Sequence, residues 1–152
     1  MIISFDMDET LVSVEPNFAE EKYTAICRLL GAERLRRGTR RLFPALAARG
    51  HNIYIYTTSH RSKFSLRKTF LAYGLWPDRI INGEENRKRL ALHNCGASKN
   101  PGLFAIDLHV DDLAGVQMEA VKFGFTTLVV DVHDTAWVEK VLTSVDAYTE
   151  QE

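Results

Sequence analysis

Short β-branched and aromatic runs alternate along the chain with stretches whose apolar residues recur at helical spacing. Ile2–Phe5 and 53–56 are strand-like runs, as are Arg79–Ile81, 104–110 and 126–130. Between them, Phe18, Tyr23, Ile26, Leu29 and Leu30 trace a helical stripe closed by Gly31. A second stripe runs through Leu35, Leu42, Phe43, Leu46 and Ala47 to Gly50. Residues 63–73, 84–93 and 113–123 read as further helices, and Trp137, Val138, Val141, Leu142 and Val145 mark a last one. Strands separated by helices require right-handed crossovers, which predicts an α/β fold with a mainly parallel sheet of about five strands. The near-continuous apolar character of the strands fits burial on both faces.

With 152 residues the chain is expected to form a single domain, 1–152. A formal net charge of -1 gives no electrostatic reason to expect a membrane surface or nucleic acid as partner. No apolar run approaches the length of a membrane span, and the start of the sequence lacks the basic lead of a signal peptide. Cys27 and Cys95 form no metal or redox spacing. A reduced, cytoplasmic protein is the expectation.

In parallel sheets, ligands sit at the C-terminal strand ends near a switch in strand order. The first strand ends in Asp6-Met7-Asp8-Glu9-Thr10-Leu11, the second in Thr57-Thr58-Ser59, and the fourth in Asp111-Asp112. Lys99 lies shortly before the fourth strand and is followed by Asn100-Pro101. Clustered carboxylates repel one another unless a cation neutralises them, and hard oxygen donors favour Mg²⁺. A carboxylate can attack phosphorus as a nucleophile, and a second acid can protonate the leaving group and then activate water. Lysine and hydroxyl groups can hold the phosphoryl oxygens.

The ordered set Asp6 and Asp8 in FDMDETL, then Thr57, Lys99 and Asp111-Asp112, resembles the motifs of the haloacid dehalogenase (HAD) superfamily over nearly the whole chain. That resemblance implies a three-layer, Rossmann-like core and an Mg²⁺-dependent phosphatase acting on phosphate monoesters. Asp6 would be the nucleophile, Asp8 the general acid/base, and Thr57 (or its neighbour Thr58) and Lys99 the phosphate ligands. Asp6, Asp111 and the main-chain carbonyl of Asp8 would hold the metal, with Asp112 as an outer or water-mediated ligand. The acid at Asp8 favours ester hydrolysis over carbon–halogen or carbon–phosphorus cleavage. Lys88 competes with Lys99 for the lysine role, and Lys99 is preferred for its place near the fourth strand. FDMDETL is also similar to the first motif of phosphatases that act on RNA polymerase tails, without support elsewhere in the chain.

Superfamily members usually carry a cap domain. Here about forty residues separate Leu11 from Ile53, and about forty separate Ser59 from Lys99. Predicted elements occupy nearly all of both gaps, so the chain reads as capless, with 12–17 as a short flap. An open site suits a large phosphorylated substrate, such as a phosphoprotein or nucleotide, or closure by a second copy of the chain. Nucleic acid is disfavoured as a general partner, although a phosphorylated polynucleotide end stays among the candidates. The alternative reading is a phosphate-binding or regulatory protein with little turnover; a phosphomutase is a third, weakened by the missing cap. His60 is a candidate substrate contact, whereas His51, His93, His109 and His133 read as surface or packing residues. The basic run at 34–41 reads as a solvated face, with docking of an anionic partner as its alternative. Arg61, Lys63, Arg67 and Lys68 are candidates for holding a polyanionic substrate.

Overall fold

The computed structural model describes residues 1–150 and shows a three-layer, Rossmann-like α/β fold. The strands are β1 (Ile2–Phe5), β2 (Asn52–Tyr56), β3 (Arg79–Ile81), β4 (Leu108–Asp111) and β5 (Thr127–Val129). The helices are α1 (Ala25–Leu30), α2 (Thr39–Ala48), α3 (Lys63–Ala72), α4 (Gly83–Leu92), α5 (Ala114–Phe123) and α6 (Trp137–Thr149). All strand pairs are parallel, in the order β3-β2-β1-β4-β5. The chain builds outward from β1 to β2 and β3, then crosses back to add β4 and β5 on the other side. The switch in direction therefore lies between β1 and β4, where the crevice of an open parallel sheet forms.

Side chains alternate across each strand, so the register decides which residues share a face. Phe5 pairs with both Ile55 and Val110, and Ser4 pairs with Tyr54 and His109. Ile3, Phe5, Ile53, Ile55, Leu108 and Val110 join the main core with Leu42, Leu46, Leu66, Phe70 and Val141. Phe43 links its layers, with ring centroids 5.1 Å from Phe5 and 5.8 Å from Phe70. Tyr56, Ile81, Phe104 and Ile106 form a smaller second cluster. No described helix is long and apolar enough to cross a membrane.

Three elements differ from the sequence expectation. The first helical stripe yields only α1, because the chain before it pairs instead. Glu21 N–H donates to Leu35 O and Arg37 N–H to Ala19 O, and the Thr24 hydroxyl caps the helix at Cys27 N–H. Leu35 is consequently outside α2, which starts at Thr39 after Gly38 with φ 99°. The fourth strand is shorter than 104–110: Pro101–Phe104 winds into a 3-10 turn, and Asp111 itself belongs to β4. Proline fits the first position of such a turn because its missing N–H would be unpaired there. The intervals between the motifs are filled by α1 and α2 and by α3, β3 and α4.

Candidate active site

At the crevice, Asp6 N–H donates to Val110 O, setting Asp6 beside the end of β4. Beyond it the chain reverses. Leu11 and Val12 N–H both donate to Met7 O, and Glu9 adopts φ 57°, a left-handed conformation that a non-glycine residue rarely takes. Glu9 is held there by its carboxylate, which accepts from Val14 N–H and Asn17 Nδ2. This reversal over 7–12 lets Asp6 and Asp8 lie at the same strand end, and Val14 and Asn17 of the segment expected as a flap fold back onto Glu9.

Lys99 reaches the site from the turn before β4. Its neighbours are pinned: Asn86 Nδ2 donates to Ser98 O, Ser98 N–H to Glu119, and Asn100 N–H to Tyr56 Oη. Lys99 is 3% exposed, and its ammonium lies 2.7 Å from Asp6 Oδ1 and 2.6 Å from Asp111 Oδ2. Lys88, the competing lysine, points outward from α4 and pairs with Glu84. Thr57 is buried directly after β2, and its Oγ1 accepts from Ser59 N–H, which leaves the hydroxyl proton free to donate. Thr58 is exposed.

Asp6, Asp111 and Asp112 each offer a carboxylate oxygen within 4.8 Å of the others. Burial pushes the Asp6 carboxyl up to about 6, against the pull of Lys99 and with Asp111 pushing the same way. Burial would raise Asp111 too, but the hydrogen bond from His109 and the charge of Lys99 hold it well below the usual carboxylate range. Asp112 is raised by burial and by Asp111, and accepts from the Thr10 hydroxyl at 3.2 Å. Burial opposes the charge on Lys99, yet Asp6 and Asp111 together lift its pKa above the ordinary value. Three ionised carboxylates against one ammonium leave two uncompensated negative charges, which one divalent cation would balance. The all-oxygen donor set fits a hard ion of the Mg²⁺ class. The Asp8 side chain is not part of this group. Its main-chain carbonyl accepts no hydrogen bond among the described residues and so remains open as a ligand.

Two residues have partners that the sequence reading did not assign. Arg61 clasps Asp8 with both terminal nitrogens, at 2.9 and 2.7 Å, and donates to Glu33 from Nε and Nη2. Its charge is thus matched by Asp8 and Glu33, and that of the exposed Lys63 is paired with Glu85. Arg67 contacts Pro77 O and stacks over Trp76, and Lys68 lies over Phe64, whereas Lys63 pairs with Glu85 while lining an open groove with His60. The second is His109. It is neither a surface residue nor mere packing: fully buried, it bonds Asp111 Oδ2 through Nε2 at 3.0 Å. A polar residue inside an otherwise apolar, two-face-buried strand was the signal available for it.

The remaining candidates disperse. His60 is exposed and lines an open groove of about 600 Å³ at the β2 and β3 ends, with Ser62, Asn82 and Arg87. His93 and His133 are exposed, and His51 is half-buried. The basic run at 34–41 is not one solvated face. Arg36 is buried between Phe18 and Trp137 and donates to the carbonyls of Asp131, Val132 and Asp134. Arg34 pairs with Glu20 and Arg41 with Glu139.

No protein-family model matches the chain, and no curated protein matches it. A chain in a solved structure described as the Pnkp1/Rnl/Hen1 RNA repair complex resembles it in fold, with a TM-score of 0.50 at 12% sequence identity. The alignment covers 86% of this chain and 42% of that one, so the present chain corresponds to under half of its structural neighbour.

Proposed function

We propose that this chain is an Mg²⁺-dependent phosphatase of the HAD type, hydrolysing phosphate monoesters through an aspartyl-phosphate on Asp6. The observation that carries the reading is the buried Lys99 ammonium bridging Asp6 and Asp111 beside Asp112, at the switch point between β1 and β4. The motif resemblance supports it independently of the geometry.

Asp6, Asp111 and the Asp8 carbonyl would hold the ion, with Asp112 close by. Bound there, the ion would neutralise the carboxylates and the phosphoryl oxygens. Asp6 is ionised above its pKa of about 6, so at neutral pH its carboxylate can attack phosphorus. Lys99 and the free hydroxyl proton of Thr57 face the developing charge on the phosphoryl oxygens. Asp8 gives its proton to the departing oxygen as the phosphorus–oxygen bond breaks. It then takes a proton from the water that attacks the aspartyl-phosphate, releasing phosphate and restoring Asp6. The intervals between the motifs hold no cap, and the open groove lined by His60 and Lys63, separate from the carboxylate cluster itself, is a candidate path for the rest of a large substrate.

One observation favours a second reading, a phosphate-binding protein with weak turnover. Asp8 is clasped by Arg61, and a carboxylate that stays so held is a poor proton donor. The two readings separate in one experiment. Phosphate release is measured with Mg²⁺ over phosphorylated metabolites, nucleotides, phosphopeptides and polynucleotide ends, for wild type and Asp6→Asn. The phosphatase reading expects turnover that falls by at least about a thousandfold in the variant. Binding of a metal-fluoride phosphate mimic without turnover on any substrate supports the second reading. Wild-type activity in a deamidation-checked Asp6→Asn sample removes Asp6 as nucleophile.

A further inference from the structure

Beneath the carboxylate cluster runs a buried polar line that the proposed reaction leaves unused. Ser4 and His109 are register partners on adjacent parallel strands, and both are fully buried. Ser4 Oγ lies 2.7 Å from His109 Nδ1, and His109 Nε2 lies 3.0 Å from Asp111 Oδ2. Alternation along β4 puts His109 and Asp111 on the same face, two residues apart.

An ionised carboxylate only accepts hydrogen bonds, so Nε2 must carry a proton. In the neutral ring Nδ1 is then an acceptor, and the Ser4 hydroxyl is the donor that meets it. The Asp111 carboxylate fixes the tautomer, and the Ser4 hydroxyl, which can donate to Nδ1, pins the orientation in which the ring points its N–H at Asp111.

The donors around Asp111 are unevenly shared. Oδ2 accepts from both His109 and Lys99 and is saturated. Oδ1 accepts from Leu113 N–H at 2.9 Å and keeps a lone pair. The open direction of the carboxylate therefore belongs to Oδ1, and it is held by donors on three sides. Lys99 is shared with Asp6, whereas among the described residues the proton on His109 Nε2 serves Asp111 alone.

We infer that His109, oriented by Ser4, is a positioning residue that locks the Asp111 carboxylate and so sets the divalent-cation affinity of the site. This rests on the reading of the site as a metal centre. Outer partners of metal-binding carboxylates carry affinity because an unheld ligand must be ordered when the ion binds, and their loss typically weakens binding by about 10–100-fold.

The test is calorimetric titration of the full chain with Mg²⁺, and with Mn²⁺ as a tighter probe, in the absence of any substrate. His109→Phe keeps a ring but removes the donor, and should weaken binding by about 10–100-fold. His109→Gln places an amide N–H near the position of Nε2 and should restore affinity to within about threefold of wild type, a rescue that a merely structural role does not predict. Ser4→Ala changes little volume but leaves Nδ1 without its partner and the ring less firmly oriented, and should weaken binding by about three- to tenfold. If His109→Phe fails to fold by circular dichroism, His109→Gln and Ser4→Ala carry the test. Folded His109→Phe with wild-type affinity overturns the inference. So do Gln and Phe variants that are equally weak, Ser4→Ala with wild-type affinity, and a wild-type chain that binds neither ion. Phosphate release is assayed separately: a wild type that binds Mg²⁺ without hydrolysing any ester ends the phosphatase reading while leaving the role of His109 measurable.

Discussion

Asp6 and Asp8 are two residues apart and chemically identical, yet their surroundings diverge. Asp6 is buried against Lys99, whereas Asp8 sits at the rim, 38% exposed in its side chain and clasped by Arg61. Under the proposed mechanism the buried Asp6 would attack inside the crevice, and Asp8 at the rim would exchange protons once released from Arg61. Asp8→Asn keeps the main-chain carbonyl and the side-chain shape but cannot shuttle a proton. With an aryl phosphate, whose leaving group needs little protonation, the variant should still form the aspartyl-phosphate but hydrolyse it about 100-fold or more slowly. Rapid-quench measurement with labelled substrate should therefore show the intermediate accumulating. Hydrolysis of the intermediate at the wild-type rate would move the acid/base role elsewhere, with His60 the next residue to vary. The motif residues Asp6, Lys99 and Asp111 were legible because each is a charged side chain at the edge of an apolar run. Arg61 was legible only as a cation near the second motif. That its charge is used up by Asp8 and Glu33 depends on residues 53 and 28 positions away.

At the scale of elements, the site depends on how the loops after β2 and β3 nest. Gly83 opens α4, its N–H donates to Ser59 O, and Asn82 Nδ2 donates to Arg61 O. A Cβ on Gly83 would collide with the carbonyl of Thr58 and come within 2.7 Å of that of Ser59. Gly83→Ala should therefore push the 57–61 loop out of place, at a cost of about 1–3 kcal/mol in urea unfolding, as overpacking typically does. It should also lower turnover by about tenfold or more through Thr57, while mutation of the exposed Gly96 to Ala should leave both near wild type. Equal turnover in Gly83→Ala and wild type would show that the loop position does not matter to the chemistry. Helix and strand types followed from periodicity, and Arg79–Ile81 was delimited correctly because turn residues flank it. The errors at 18–24 and 104–107 share a cause. There, backbone pairing with a distant segment, or a proline-led turn, outweighed an apolar pattern that was compatible with regular structure.

For the molecule as a whole, the carboxylate cluster stores repulsion that a bound cation would relieve. Mg²⁺ at 100 times its dissociation constant should stabilise the native state by about 2.7 kcal/mol. For a domain of this size that corresponds to a rise in Tm of roughly 5–10 °C. Differential scanning calorimetry with and without chelator should show the shift, and Asp112→Asn should reduce it. An unchanged Tm in saturating Mg²⁺ would argue against a metal centre. What the sequence determined by itself is the class of fold and the chemical character of its strand ends. Hydrophobic period and turn residues are local properties, and a carboxylate or lysine declares itself wherever it stands. What only the tertiary structure decided is which of those groups meet. Strand order placed β4 rather than β3 against β1, and so brought Asp111 to Asp6. The register set Ser4 opposite His109 across 105 positions of chain and turned an apparent packing histidine into a donor for Asp111. The physical reason is that hydrogen bonds and ion pairs depend on distances of a few ångströms between side chains. Those distances are fixed by which strands pair across the sheet, and β1 and β4 are joined from segments far apart in the chain.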